Sequence, residues 1–447
     1  MTSRTAIAAA LCLTACASSP PESDLLTAPG APEDPAWTSP RAGDPDAGDT
    51  LRVTLERAVE LALGRPAARA ADERVLAAEA ASRQARAWRN PEAVLEIEGF
   101  GGDRPGLDES EITVGMAGGI DLFGRAGASG KVADAELQEE RARRLATRRD
   151  LAARVRRAFH EALAAGEELA IADMLLAVTR ETANAVRSEV EAGKTAPLRG
   201  IQAEASLETA RVRHEAAGHR LDLARAHLSR LLRAGVSRPG PTMALGRLRA
   251  SFPPVDPESL AAGLLAGHPD VVRDRWRAET QHRRAGEIGR KRWPELGVSI
   301  GYRRDRAVDR SDWVGGLSVE LPLFDRRQGA VREARRLESA AREDAREEAL
   351  RLLDELERAV VAGRAAASLL DRYDAEILPR AGEALRLARL GYSEGKFGYL
   401  DLTGAEESLV RSRAERARAL IDLDRALTDL EILAGRTLSP SSESRED

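Results

Sequence analysis

Residues 293–324 read WPELGVSIGYRRDRAVDRSDWVGGLSVELPLF. In the first half Leu296, Val298, Ile300 and Tyr302 alternate with Gly297, Ser299, Gly301 and Arg303. In the second half Trp313, Gly315, Leu317, Val319 and Leu321 alternate with Val314, Gly316, Ser318, Glu320 and Pro322. A period of two, with one apolar face and one small or polar face, is what a strand needs when it crosses a membrane as part of a barrel. Runs of about nine to twelve residues also suit a tilted crossing of the hydrocarbon layer. The same alternation fits soluble hairpins packed on helices, so pattern alone leaves both readings open. Pro294 stops the helical run before the first strand, and the polar loop Arg304–Asp312 is expected to face outward.

The stretch has a double. Ile112, Val114, Met116, Gly118 and Ile120 alternate with Thr113, Gly115, Ala117, Gly119 and Asp121, after a polar loop at Gly101–Ser110. Around these hairpins the landmarks recur at an offset near 202 residues: Asn90-Pro91-Glu92 with Trp293-Pro294-Glu295, Ile120-Asp121-Leu122-Phe123 with Leu321-Pro322-Leu323-Phe324, and Gly193-Lys194 with Gly395-Lys396. The run Gln202–Leu207 likewise lies opposite Gly404–Leu409. Landmarks in one order at nearly one spacing define two copies of a unit, 51–240 and 241–436.

Each copy is expected to hold a helix (about 54–89 and 257–292), two strands (about 92–101 and 111–123; about 295–303 and 313–324), a helix of about 60 residues (about 128–191 and 329–394) and a last helix (about 198–234 and 399–435). Helices of that length extend roughly 90 to 100 Å, too long for a compact domain and suited to a coiled-coil tube. Four strands cannot close a barrel, and an open sheet edge cannot stand in lipid. Two chains would supply eight strands and three would supply twelve. A tube of matching width favours three. The expected fold is therefore mostly α with a small transmembrane β part: a trimeric twelve-stranded β-barrel continued by a long periplasmic α-helical barrel.

Composition agrees. Only 3% of the 447 residues are aromatic, while 32% are charged, and just four are lysine (Lys131, Lys194, Lys291, Lys396). Such a chain favours long helices with narrow seams over a large round core. Seven of the fifteen aromatics (Trp88, Phe100, Phe123, Trp293, Tyr302, Trp313, Phe324) fall at or near strand ends, like the aromatic girdles of membrane barrels. A net charge of −5, with both signs interleaved, removes the electrostatic case for nucleic acid. No apolar run reaches about 18 residues, which excludes a polytopic helical membrane protein.

The N-terminus reads as an address. Arg4 and the apolar stretch Ala6–Leu13 lead into Leu13-Thr14-Ala15-Cys16. This resembles a bacterial lipobox, with 1–15 removed as signal peptide and Cys16 lipidated. Ala17, where an Asp would signal inner-membrane retention, favours the outer membrane. Residues 16–50 have linker composition, and 437–447 read as a disordered tail. Cys12 lies in the signal, so no intrachain disulfide is expected.

Reaction chemistry is not evident, and neither an enzyme nor a cofactor is expected. The six histidines (His160, His214, His219, His227, His268, His282) form no metal-binding spacing. Gly124–Lys131 is glycine-rich but misses the phosphate-loop pattern, since its first Gly is one position out and Val132 replaces Ser/Thr. It reads as a flexible passage from strand to tube.

Taken together, signal, tether, duplicated hairpins and long helices over about residues 50–436 resemble the TolC-like outer membrane factors of tripartite efflux systems. Within them the chain is most similar to the CzcC-type members of heavy-metal efflux pumps. That finer likeness rests on Asn90-Pro91-Glu92 with Glu96–Gly102, on Leu321–Ala330, and on Gly391–Leu402. The resemblance implies a passive homotrimeric duct, a periplasmic adaptor and an inner-membrane RND transporter as partners, and lodging in outer membrane lipid. It implies adaptor docking at the turns Gly193, Lys194 and Leu198 and Gly395, Lys396 and Leu400, and a gate at Tyr392 and Asp401. The chain departs from the family pattern at Gly404, where relatives place an acid, and at Arg199 and Gly200 in the first copy. Drug export, type I protein secretion, or a non-channel coiled-coil scaffold are the alternatives.

The lipobox reading has a direct test: radiolabelled palmitate enters the expressed protein, and Cys16→Ser abolishes the label. Undiminished labelling of the variant removes the anchor.

Overall fold

The computed structural model describes residues 50–99, 110–233 and 240–438. Cys16, Phe100, the loop at 101–109 and the tail at 439–447 lie outside them. The elements in chain order are β1 (Leu51–Val53), α1 (Leu55–Leu63), α2 (Pro66–Ala85), β2 (Glu92–Glu98), β3 (Glu111–Ile120), α3 (Arg125–Glu191), α4 (Pro197–Leu232), β4 (Thr242–Ala244), α5 (Pro257–Gly267), α6 (Pro269–Lys291), β5 (Leu296–Asp305), β6 (Arg310–Val319), α7 (Gln328–Arg372), a π-helical turn (Tyr373–Ile377), α8 (Leu378–Ser393) and α9 (Tyr399–Ala434). One order of elements thus runs through the chain twice.

Several expectations need correction. The helices expected at 54–89 and 257–292 are each two helices, with breaks before Pro66 and Pro269. Proline lacks the N–H and forces the preceding residue into extended backbone, and both Arg65 and His268 are extended. The strands end at Ile120 and Val319 rather than at 123 and 324, and the loop expected at 304–312 shrinks to a turn because β5 runs to Asp305 and β6 begins at Arg310. The glycine-rich 124–131 is not a flexible passage: Gly124, at φ 68°, caps α3, which is helical from Arg125. The parallel pair β1–β4, joining the start of the fold to the segment between the copies, has no forerunner in the sequence reading.

The long helices pack by narrow stripes, of alanine at heptad spacing on α3 and of leucine with small residues on α7 and α9. On α3, Ala128, Ala135 and Ala142, then Ala158, Ala165 and Ala172, are buried. On α7 the buried stripe is Leu352, Leu356, Ala359, Gly363, Ala366 and Leu370, and on α9 it includes Leu420, Leu423, Leu427 and Leu430. Alternating steps of three and four keep one stripe against a neighbour along a long helix. At 67 residues α3 extends about 100 Å. Past the π turn the sheltered positions of α8 are 378, 381, 382, 385, 388 and 391.

Bulkier side chains gather at two corresponding places, with a further cluster of Leu370, Leu420, Leu423 and Leu427 between α7 and α9. Val53, Ala58, Val155, Phe159, Leu228 and Leu232 join α1, α3 and α4. Leu264, Val271, Leu352, Leu356 and Leu430 join α5, α6, α7 and α9. Fully burying one such leucine contributes about 1.5–3 kcal/mol. The copies are tied together by a buried polar network. His160 Nδ1 on α3 lies 2.6 Å from Asp424 Oδ2 on α9. Arg249, in the segment between copies, donates from Nε to Asp424 Oδ1 at 2.7 Å and pairs with Glu431 at 2.8 Å. Burial would raise the Asp424 carboxyl, but the His160 hydrogen bond and charge, and those of Arg249, outweigh it and hold its pKa below the ordinary value.

At the α5–α6 break the buried His268 acts as helix N-cap, its Nδ1 accepting the Asp270 N–H at 3.3 Å. Burial, then the nearby Arg149 charge, push its pKa down to about 4. The unfolded chain therefore takes up this proton near pH 6.5 while the fold resists it, so stability falls as pH drops from about 6.5 toward 4, by roughly 3 kcal/mol. Asp270, its pKa raised by burial, works in the opposite sense but is common to both proteins in the comparison. His268→Asn keeps a capping oxygen and removes the titration. Thermal melts across this range should show a flatter pH slope for the variant; equal slopes would refute the assignment.

Candidate functional site

The register of the four-stranded sheet, in the order β2-β3-β5-β6, sorts its side chains cleanly. Leu95 pairs with Val114, Val114 with Tyr302 and Tyr302 with Trp313; Ala93, Met116, Ile300 and Gly315 form a second row. Gly118, Val298 and Leu317 form a third, and Ile120, Leu296 and Val319 a fourth. Partners in register share a face, so one face is apolar over these four rows, and at its far end Ile97 and Ile112 are followed by the polar Arg304 and Ser311. Much of it is exposed, including Leu317 at 76% and Trp313 at 75%. The opposite face carries Glu92, Glu96, Glu98, Glu111, Asp305 and Asp312 against Arg303 and Arg310, with small residues and the valines Val94 and Val314 between. Gly115 and Gly301 pair so closely that a Cβ on Gly115 would stand 2.5 Å from Ile300 O and 2.7 Å from Gly301 Cα. The aromatics mark both ends. Tyr302 and Trp313 meet edge to face at 5.6 Å, and Phe123 stacks on Trp293 at 5.4 Å. No helix among the described residues is long and apolar enough to cross a membrane.

Where sheet passes into helices, Glu295 accepts from Arg89 at 3.1 Å and from Arg125 at 2.8 Å, joining the two copies. Asp121 accepts the N–H groups of Arg125 and Ala126, each at 2.8 Å, and so caps α3.

The far end of the helices holds the paired turns. Gly193 and Gly395 both sit at φ 69°, a conformation open to glycine at little cost. In the first turn Lys194 N–H donates to Glu189 O at 2.9 Å and Gly193 N–H to Val190 O at 3.0 Å. In the second, Lys396 N–H donates to Gly391 O at 2.7 Å and Gly395 N–H to Tyr392 O at 3.0 Å. This is the same helix-ending motif twice. Lys194 and Leu198 are exposed. Lys396 is exposed and pairs with Glu394 at 2.6 Å. Leu400 lies in the first turn of α9.

The two gate candidates have definite partners. Tyr392 Oη donates to Glu189 Oε1 at 2.8 Å, which ties α8 of the second copy to α3 of the first and raises the Tyr392 pKa. Asp401 Oδ2 accepts the Gly398 N–H at 2.9 Å and caps its own helix. Sequence reading missed Glu189, one carboxylate among many, and Phe397, whose ring packs where a Cβ on Gly391 would lie. The spacing of Asp401 three residues after Gly398 was the available signal for the cap. Among the described residues no three His, Cys, Asp or Glu side chains come together as a metal-binding group. His160, His214 and His282 instead face single carboxylates, of Asp424, Asp173 and Glu338.

Known proteins share this arrangement. The chain is 29% identical over 388 residues to the cobalt-zinc-cadmium resistance protein CzcC of Cupriavidus metallidurans, covering 86% of this chain and 90% of that one. It is 30% identical over 259 residues to the nickel-cobalt-cadmium resistance protein NccC of Alcaligenes xylosoxydans, covering 58% of each. In fold it matches the outer membrane protein VceC of Vibrio cholerae with a TM-score of 0.69 at 20% identity, over 86% of this chain and 97% of that one. The sequence profile of outer membrane efflux proteins matches residues 58–233 and 260–436, one stretch in each copy, and the chain belongs to that family.

Proposed function

We propose that this chain is the outer membrane duct of a tripartite efflux system whose cargo is divalent heavy-metal cations. The observation that carries the reading is the sheet: one face with four apolar rows crossing all four strands, two open edges at β2 and β6, and a helical wall about 100 Å long beneath it. Three copies joined edge to edge would give twelve strands with the apolar face toward lipid. The acid-rich face would then line the exit, where its excess of carboxylates favours cations. The kind of cargo is argued from the likeness to CzcC and NccC. Flow is passive, driven by an RND transporter in the inner membrane and relayed by a periplasmic adaptor. Cys16 carries the acyl anchor, 1–15 are removed, and 16–50 form the tether.

At the tip, the exposed Lys194, Leu198 and Lys396 beside Gly193 and Gly395, with Leu400 in the adjoining turn of α9, are the adaptor's docking points. The gate is the Tyr392–Glu189 bond between the copies, with Asp401 shaping the turn beside it.

Deleting the gene should lower tolerance to zinc, cobalt or cadmium several-fold while tolerance to drugs is kept. Lost drug tolerance with unchanged metal tolerance would instead assign the duct to drugs, and a purified protein that conducts no ions across a planar bilayer would make it a scaffold. At the tip, photocrosslinkers at positions 194 and 396 should capture the adaptor in the assembled pump, and Tyr392→Phe should raise conductance. An uncaptured adaptor counts against the docking points, and unchanged conductance against the gate.

A further inference from the structure

The apolar face of the sheet continues beyond its last hydrogen-bonded pair. Leu321 keeps the alternation of Trp313, Leu317 and Val319, and the chain then turns at Pro322, Leu323 N–H donating to Leu321 O at 2.9 Å. Leu321 and Leu323 are exposed, as is Phe324 at 93%. Because Leu296 pairs with Val319, the segment entering β5 and the segment leaving β6 lie side by side. The first brings Arg292 and Trp293, the second Phe324, Arg326 and Arg327. The Arg292 guanidinium stands 5.7 Å from the centroid of the Trp293 ring. Neighbouring Lys291 and Arg125 are satisfied by Glu287 and Glu295. Arg292, Arg326 and Arg327 are exposed and their guanidinium groups enter none of the ion pairs among the described residues, while Asp325 between Phe324 and Arg326 accepts the Arg327 backbone N–H at 2.8 Å.

Depth decides what these groups meet. The chain from Trp313 to Leu321, before the turn at Pro322, is about 26 Å long. Tilted as barrel strands are, it rises roughly 20 Å, most of the height of a barrel's apolar band of about 25 Å. With Trp313 and Tyr302 at one interface, Trp293 and Phe324 stand at the other. The arginines follow immediately, at the level of lipid phosphates on the side where the helices begin, which is the periplasmic leaflet. Guanidinium groups grip phosphate oxygens with parallel N–H donors, and the aromatic and leucine side chains beside them suit the glycerol and upper acyl region.

We propose that Arg292, Arg326 and Arg327 form a binding surface for anionic phospholipid headgroups of the periplasmic leaflet, with Trp293, Leu323 and Phe324 holding the adjoining apolar part of the lipid. The inference rests on the sheet spanning the outer membrane and is independent of the cargo. Each arginine near a charged lipid surface favours binding by about fivefold, and salt weakens the effect.

The test uses the full-length protein, purified as its native oligomer, stripped of lipid and offered an equimolar mixture of phosphatidylglycerol and phosphatidylethanolamine. Native mass spectrometry counts what is retained. The wild type should keep phosphatidylglycerol over phosphatidylethanolamine by about tenfold or more, with the preference shrinking as salt is added. R292Q/R326Q/R327Q should lose the preference while the oligomer's mass stays unchanged. Equal retention of both lipids by the wild type, or an undiminished preference in the triple variant, overturns the proposal. So does displacement of the lipid by soluble glycerol phosphate, which marks a simple anion seat. A triple variant that no longer assembles assigns the arginines to a subunit contact and overturns it as well. Neither readout depends on export, so failure here leaves the efflux reading standing.

Discussion

A β-sheet edge cannot be left in hydrocarbon. Each unpaired N–H or C=O there costs several kcal/mol, and this chain has a four-stranded sheet with edges at β2 and β6. The rest of the molecule follows from that constraint. The apolar face suits lipid only if the edges are paired, pairing needs further copies, and the copies must then continue downward with a common circumference. The long helices, the duplicated order of elements and the tie between copies through His160, Asp424 and Arg249 are all compatible with a wall segment rather than a self-sufficient globule.

The packing of that wall explains the composition. Buried alanines at heptad spacing on α3 let helices approach closely while leaving their other faces wet. Charged residues fill those faces, and many form pairs between exposed side chains, which contribute little each. Bulky residues gather where α1 or α5 crosses the long helices and along the α7–α9 seam, and Phe159 and Phe252 are rare aromatics in that setting. Trp88, Phe123, Trp293, Tyr302, Trp313 and Phe324 are free to mark the ends of the strands.

How much of this was legible depended on periodicity. Alternation in 296–302 and 313–321 and the repeated landmarks near offset 202 disclosed strands, duplication and family likeness, because each is a local pattern with a fixed period. The breaks at Pro66 and Pro269 were legible in principle, since each proline sits inside an otherwise helical run. What stayed hidden was contact between distant residues. Nothing in the sequence singles out Asp424 from 73 acidic residues, or Glu189 as the partner of Tyr392. The three-residue pair β1–β4 is too short for any period to be seen.

The π turn at Tyr373–Ile377 belongs to the second copy alone. Extending the α7 stripe of 352, 356, 359, 363, 366 and 370 by the same steps gives 377, 380, 384 and 387. Of those positions all four are exposed, and the sheltered ones of α8 are 378, 381, 382, 385, 388 and 391. The first copy runs the corresponding length as one unbroken helix, α3. A π turn lets a helix take a wider turn without ending, so the face it covers need not continue the straight line of the stripe above. In the second copy the wall can therefore change which side it presents partway down while every backbone carbonyl around the turn keeps a helical partner.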